Sequence, residues 1–354
     1  MNLLLLNTSF EVIDVIDTYS SLLWTERYYE AGEFELIVPA NSKNLELFQM
    51  DYYLSRIDSK CLMIIEKREI ETDEEDGNTL TITGRSIESI LDRRIIWAQT
   101  TISGNLQSAI KTLINSEIIS PSIADRKISN FIFTESTDTA VTDLTVDEAQ
   151  YTGDGLYEVI QDICELKKLG FKLTVDDSNQ FVFELYAGTD RTYSQTALPY
   201  VLFSGNFNNL LSSNYSEDKT NYKNVTLVAG EGEGTARTTA TYGSASGLDR
   251  REHYTDAREL STNDGEISAS EYQIQLQSKG EEELKEYKIK KDIDGEIDTV
   301  VTYIANEDYF LGDLVQIVDD YGTEAKARIT EIVTSISSSS ISTYPTFEIE
   351  DDTE

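Results

Sequence analysis

The sequence predicts a mainly β chain with an α+β insertion, in which two small related β-barrel domains flank a helix-plus-hairpin module. Three observations lead to that class. Apolar and polar residues alternate over short runs in residues 1–95 and again in 206–354, the period of half-buried strands. Helical spacing is concentrated in residues 96–205. One short plan also occurs twice. Asp51-Tyr-Tyr-Leu54 precedes Cys61–Ile65 and Thr79–Thr83; Asp308-Tyr-Phe-Leu311 precedes Ala327–Val333 and Thr346–Ile349. The second copy needs a longer loop after its first strand.

The front third opens with strands at Phe10–Ile16, Ser21–Tyr29 and Glu33–Val38, with Ala31-Gly32 as a turn and Pro39 as a stop. Cys61–Thr72 and Thr79–Thr83 form a hairpin with its tip at Asp73–Gly77. That acidic tip is a solvated turn, because a calcium loop needs spaced oxygen ligands closing on a distant Glu. In the middle third, Leu106, Ala109, Ile110, Leu113, Ile114 and Ile118 share one helical face. Leu156, Val159, Ile160, Ile163 and Cys164 mark a second helix, with Gly170 as the residue that stops it. Phe171–Val175 and Phe181–Leu185 make a hairpin, and the polar stretch Thr134–Thr152 reads as a loop. The back third has a strand at Asn224–Ala229, a turn at Gly230–Gly234, a partner strand at Thr238–Tyr242 and a short charged helix at Glu281–Lys291.

Composition limits the function. The chain has 354 residues, 39% apolar and only 4 Pro, enough for two or three folded domains. No apolar run is long enough for a membrane span. Leu3–Leu6 is too short for a signal-peptide core and lacks a basic start, so synthesis in a cytoplasm is expected. Cys61 and Cys164 lie in apolar patterns and read as buried, reduced thiols. With 65 acidic against 29 basic residues, the net charge of −36 argues against a nucleic-acid binder, since such a surface repels the phosphate backbone. It permits a conduit to which DNA does not adhere. Acidity is spread through all three regions, with a local cluster at Glu348–Glu354.

No catalytic, cofactor-binding or metal-ligating set emerges, and no cofactor is expected. His253 is the single histidine, and no nucleophile elbow accompanies it. Gly230-Glu-Gly-Glu-Gly234 lacks the spacing and the basic residue of a phosphate loop, and its glutamates would repel phosphate. A carboxylate pair for sugar hydrolysis is the one chemistry that sequence spacing does not test. The chain therefore reads as a non-enzyme, with a carbohydrate-active depolymerase as the rival and a cell-surface adhesin as a further one.

Several segments together resemble the siphophage tail-tip, or baseplate hub, family of tail-associated Gp37-like proteins. They are Trp24–Pro39, an "RY…GEFEL…P" signature; Ile82–Ser86 with Leu91–Ile95; Tyr222–Val225; Gly247–Glu252 with Asp256–Arg258; and Asp308–Val315. The middle region matches only in its order of helix and hairpin. The resemblance implies two small tail-tube-like barrels per chain, at 1–95 and 206–354, with the 96–205 module projecting laterally. It implies a homotrimer in the virion, at the tail tip, below a tail-tube or distal tail protein. Tail fibre or receptor-binding proteins attach to it, and DNA passes without specific binding. Three chains of two related halves would match a six-fold tube. Relatives with a lytic extension carry it beyond the position where Glu354 falls, which argues against lysis here.

Within these motifs, Arg27, Gly32, Pro39, Arg93, Arg94, Arg250, Arg251, Gly312 and Asp313 are the candidate structural or interface residues. Gly32 and Gly312 fall where tight turns ask for positive φ. Pro39 ends a strand whose next residue need not pair. Arg93-Arg94 and Arg250-Arg251 stand out in so acidic a chain, and carboxylates within the subunit or on a neighbour are their expected partners.

Overall fold

The computed structural model describes residues 2–57, 59–73, 77–262, 265–297, 302–319, 324–337 and 340–350. Most of the hairpin tip at 73–77 and the end of the 348–354 acidic cluster lie outside the described residues. The chain is mainly β. Eight strands follow the main path of one large sheet and are labelled here in chain order. They are β1 Ser21–Arg27, β2 Glu33–Pro39, β3 Lys67–Asp73, β4 Gly77–Arg85, β5 Leu210–Asp218, β6 Lys290–Ile297, β7 Glu324–Ser337 and β8 Ile341–Glu350. Their spatial order is β5-β6-β8-β7-β1-β2-β4-β3.

That order is one pattern written twice. Each half reads first strand, second, fourth, third, and the halves join where β7 pairs with β1. The join is antiparallel, from Glu331 opposite Arg27 to Ser337 opposite Ser21. The hydrogen bonds repeat as well. Asp51 N–H donates to Ile65 O at 2.9 Å and Ile65 N–H to Tyr52 O at 2.8 Å. In the other half Gly312 N–H donates to Ile329 O at 2.8 Å and Ile329 N–H to Asp313 O at 2.9 Å. Further along, Met63 faces Ser86 as Ala327 faces Ile349, and Lys67 faces Thr83 as Glu331 faces Thr346. The recurrence expected from sequence is thus present in the pairing, but in another register. Asp51 corresponds to Gly312, not to Asp308; backbone bonding is shared where side-chain identity is not. Both equivalent residues sit at positive φ, +62° and +86°.

Among the described residues no sheet closes into a barrel. The front half does not curl onto itself because β1 takes β7 of the back half as its neighbour. β5 and β3 end the path, each paired on one side. A second sheet of Val12–Ile16, Leu3–Leu6, Tyr53–Arg56 and Leu62–Ile64 covers the front core. Alternation decides which face of the large sheet is buried: Leu22, Trp24, Phe34, Leu36, Val38, Leu80 and Ile82 point into that core. Each such side chain contributes about 1.5–3 kcal/mol by leaving water.

The middle region holds the expected helix pair and hairpin. Helix Leu106–Ile114 is capped by Asn105, whose side chain accepts from Ser108 N–H, and runs on as a π turn through Ile119. Helix Leu156–Leu166 packs on the hairpin Gly170–Val175 and Phe181–Tyr186, which Phe131–Thr134 joins as a third strand. Its apolar core is continuous with Tyr53, Ile64, Ile87 and Leu91 of the front. Two expectations change here. The helix ends with Lys168 at φ +55°, and Gly170 opens the following strand, so it does not act as the helix stop. The stretch 134–152 is not a loop: it carries helix Thr139–Thr142 and strand Thr145–Tyr151, paired with Thr100–Asn105. That strand is polar because it lies at the edge of a two-stranded sheet.

Between β5 and β6 the chain builds a small module of its own. Strands Thr239–Tyr242, Val225–Ala229 and Glu252–Asp256 form a sheet under helix Ala269–Lys285. The helix starts well before the expected 281, because Ser268 and Glu271 form a reciprocal capping box. His253 lies in this sheet, 3.2 Å from Glu283 and against Tyr287. The module leans on the middle region through Lys285–Asp162 at 2.9 Å and Gln275–Glu148 at 2.9 Å.

Candidate functional site

Where front, middle and back regions meet, one aromatic residue is held by all three. Tyr28 follows β1 and is fully buried. Its Oη accepts from Gly188 N–H at 3.0 Å and lies 3.3 Å from the carbonyls of Lys168 and Tyr186. The ring sits where β-carbons on Gly170 or Gly312 would overlap it, so both positions require glycine. Gly188 is pressed against Gly312 O in the same way. Burial pushes the Tyr28 hydroxyl up, and the Arg328 guanidinium over its ring, 5.8 Å from the centroid, acts against that.

Charged groups frame the ring. Arg328 donates to Glu350 at 2.6 Å and to Gly312 O at 2.8 Å. Burial opposes its charge, but Tyr29 and Glu350 outweigh burial and hold the guanidinium above its ordinary value. Lys168 reaches Glu348 at 2.6 Å and stands over the Tyr29 ring. Asp313, 2% exposed, takes three donors: Thr189 N–H at 2.7 Å, Phe310 N–H at 3.0 Å and Arg191 Nε at 2.6 Å. Arg27 clamps the sheet join by donating to Glu331 at 2.6 Å and to Glu33 at 2.7 Å. Its burial is likewise outweighed, first by Glu331 and then by Glu33.

Of the residues singled out from sequence, the fold gathers Arg27, Gly312 and Asp313 at this junction. Gly32 borders it, but at an ordinary φ. Its need is space, since a β-carbon would overlap Thr25 O, and its N–H donates to Ser86 Oγ at 2.8 Å. Pro39 ends β2 opposite Thr79 and accepts from Asn44 Nδ2 at 2.8 Å. The arginine pairs lie elsewhere. Arg93 meets Asp51 at 3.1 Å, whereas Arg94 donates to the carbonyls of Arg126 and Arg93. Arg250 pairs with Glu252 at 2.5 Å, and Arg251 donates to Lys219 O and covers the Tyr222 ring. Sequence patterning does not mark Tyr28, Gly188, Arg191 or Arg328, and marks Gly170 only as a helix stop. Tyr28 stands in the "RY" signature and Arg328 in the second copy of the plan, which were the signals available.

The junction offers rigid charge pairs and close backbone packing, which suit it to fixing the angle between regions. A family profile described as Siphovirus ReqiPepy6 Gp37-like protein matches residues 2–347. Comparison with curated proteins gives no match. Solved structures with the same fold include the tail protein from Neisseria meningitidis MC58, with a TM-score of 0.57 and 12% identity over 99% of this chain and 96% of that one. The 43 kDa tail protein of prophage MuSo2 from Shewanella oneidensis gives 0.54 and 11%, over 99% and 98%. Prophage tail protein gp18 from Listeria monocytogenes EGD-e gives 0.53 and 12%, over 99% and 95%. The profile spans nearly the whole chain, which therefore belongs to the Siphovirus ReqiPepy6 Gp37-like family and has the fold of phage tail proteins.

Proposed function

We propose that this phage tail structural protein is a non-enzymatic baseplate hub, three copies of which close a ring at the distal end of the tail tube. The observation that carries the reading is the repeated strand order with its free ends. Within the chain, a third strand, β7, pairs with a first strand, β1. Among the described residues the two ends of the path are again a third strand, β3, and a first strand, β5; the remaining strands of the sheet, Leu314–Val318 and Leu202–Ser204, branch from β7. Head-to-tail contacts of one kind generate a ring when the rotation closes. Three chains contribute six repeats, which suits a six-fold tube.

The pairing registers supply a further argument. Lys67 is equivalent to Glu331, through Thr83 and Thr346. Trp24 is equivalent to Tyr215, through Phe34–Gly84 and Ile293–Phe347, so Arg27 is equivalent to Asp218. A join between copies on the internal register would set Lys67 opposite Asp218, and Arg68 opposite Glu217. The ion pair of the internal join returns with its signs exchanged. In the isolated chain Lys67 pairs with Glu69 at 2.7 Å, along its own edge strand.

In this reading, regions 1–95 and 206–354 are two related tube-type units and 96–205 projects from them. The tail-tube or distal tail protein docks above, and fibre or receptor-binding proteins dock on the assembly. The sheet face opposite the core carries Glu33, Glu35, Glu69 and Glu71 among Thr79, Thr81 and Thr83, against two basic residues, Lys67 and Arg85. That face would line the channel and keep DNA from adhering. The test is charge reversal in assembled tails. Lys67→Glu and Asp218→Lys should each lower incorporation, and the double variant should restore it. Full incorporation of both single variants would overturn the proposed register.

A further inference from the structure

A narrow cleft of about 70 Å³ lies between strand Thr145–Tyr151, helix Leu156–Leu166 and helix Ala269–Lys285. Its walls are apolar, with Ile102, Val146 and Leu166 among them, and six carboxylates line it against Lys167 and Lys279. Lys279 is engaged by Glu282 at 2.9 Å and Asp162 by Lys285 at 2.9 Å, and the other four carboxylates leave the lining negative. Two buried glutamines also line it: Gln150 is 7% exposed and Gln275 is 1% exposed. Among the described residues the Oε1 of each has no hydrogen-bond donor. The orientation of Gln275 is fixed, because its Nε2 donates to Glu148 at 2.9 Å and a carboxylate only accepts. A buried carbonyl oxygen without a donor is costly, so two in one cleft call for a donor from outside the chain.

We propose that this cleft binds an alkylammonium ion. Its N–H groups donate to the Gln150 and Gln275 oxygens, the lining acids balance its charge, and its hydrocarbon lies on Ile102, Val146 and Leu166. A hard divalent cation fits less well: among the described residues no three acids converge as metal ligands, and the apolar walls give it nothing to bind. Because the cleft joins the middle region to the inserted module, the ligand would hold the two together.

The test is calorimetric titration of the full chain with 1,4-diaminobutane, with sodium chloride adjusted to constant ionic strength. The expected result is saturable binding at one site per chain, and none with butane-1,4-diol. Gln275→Leu should weaken it about tenfold or more, by removing one acceptor. Ala149→Leu, which narrows the apolar wall, should weaken it too, and it carries the test if Gln275→Leu does not fold. Glu71→Gln, on the distant edge strand β3, should leave the affinity unchanged. Three results would overturn the proposal: uptake that never saturates, equal loss in Glu71→Gln, or an affinity that survives in whichever cleft variant folds.

Discussion

Gly312 and Tyr28 touch so closely that a β-carbon on the glycine would overlap Cε2 of the ring. Gly312 also holds φ at +86°, and its carbonyl accepts from Arg328. One residue of the back region thus meets conformational, steric and hydrogen-bonding demands set by the other parts of the junction. Gly312→Ala should cost about 2–5 kcal/mol, from left-handed strain and overpacking together. Gly104→Ala is the control: φ is +77° with open space around it, so only strain of about 1 kcal/mol applies. Urea denaturation of the two variants measures the difference.

Asp313 is satisfied by three donors from two regions, and its removal would leave Arg191 without its carboxylate. Asp313→Ala should destabilise the chain by about 3–5 kcal/mol, the usual effect of breaking a buried pair. Asp313→Asn keeps the shape but supplies one acceptor oxygen for three donors, and should fall between the two. Thermal and urea midpoints would rank them.

At the sheet join, Arg27 and Glu331 are partly buried and lie opposite each other in the β1–β7 pairing. A double-mutant cycle with Arg27→Ala and Glu331→Ala should give a coupling of about 0.5–1.5 kcal/mol, since neighbours sharing an ion pair are not additive. Independent effects would mean that the backbone ladder alone holds the halves together.

Glu88 is buried beside Ser86, with Oε1 accepting from Leu173 N–H at 2.8 Å and Oε2 without a partner among the described residues. Burial raises its carboxyl above the ordinary value. The folded state therefore holds the proton more tightly than the unfolded state. Its stability contribution is full below the unfolded value and is lost as pH rises through the folded one. Glu88→Gln should thus be more stable than the parent at pH 7, with the gap closing towards pH 4. Melting temperatures across that range would check the sign.

Some of this was legible in the sequence and some was not, for physical reasons. The β1–β2 hairpin was readable because Phe34, Leu36 and Val38 alternate cleanly before Pro39, and the two middle helices because their apolar stripes keep one face. Strand Thr145–Tyr151 was not readable, since an edge strand under a helix needs no alternation. Asp313 and Arg27 entered the candidate set through motifs. Tyr28 did not, because its partners come from residues 168–188 and 312–328, far along the chain. The internal repeat was visible as a plan but misaligned by four residues: it is conserved in hydrogen bonding, where Asp51 and Gly312 play one part with different side chains.

In the proposed ring, strand edges β3 and β5 of neighbouring copies join as β7 and β1 do within one chain. Facing Cα atoms in an antiparallel pair stand about 4.5–5.5 Å apart, within disulfide reach. The most direct measurement is oxidative cross-linking of Lys67→Cys with Asp218→Cys in assembled tails. The expected result is a non-reducing ladder that ends at three times 39.9 kDa. Chains that remain monomeric under oxidation, or a ladder that continues past three copies, would contradict it.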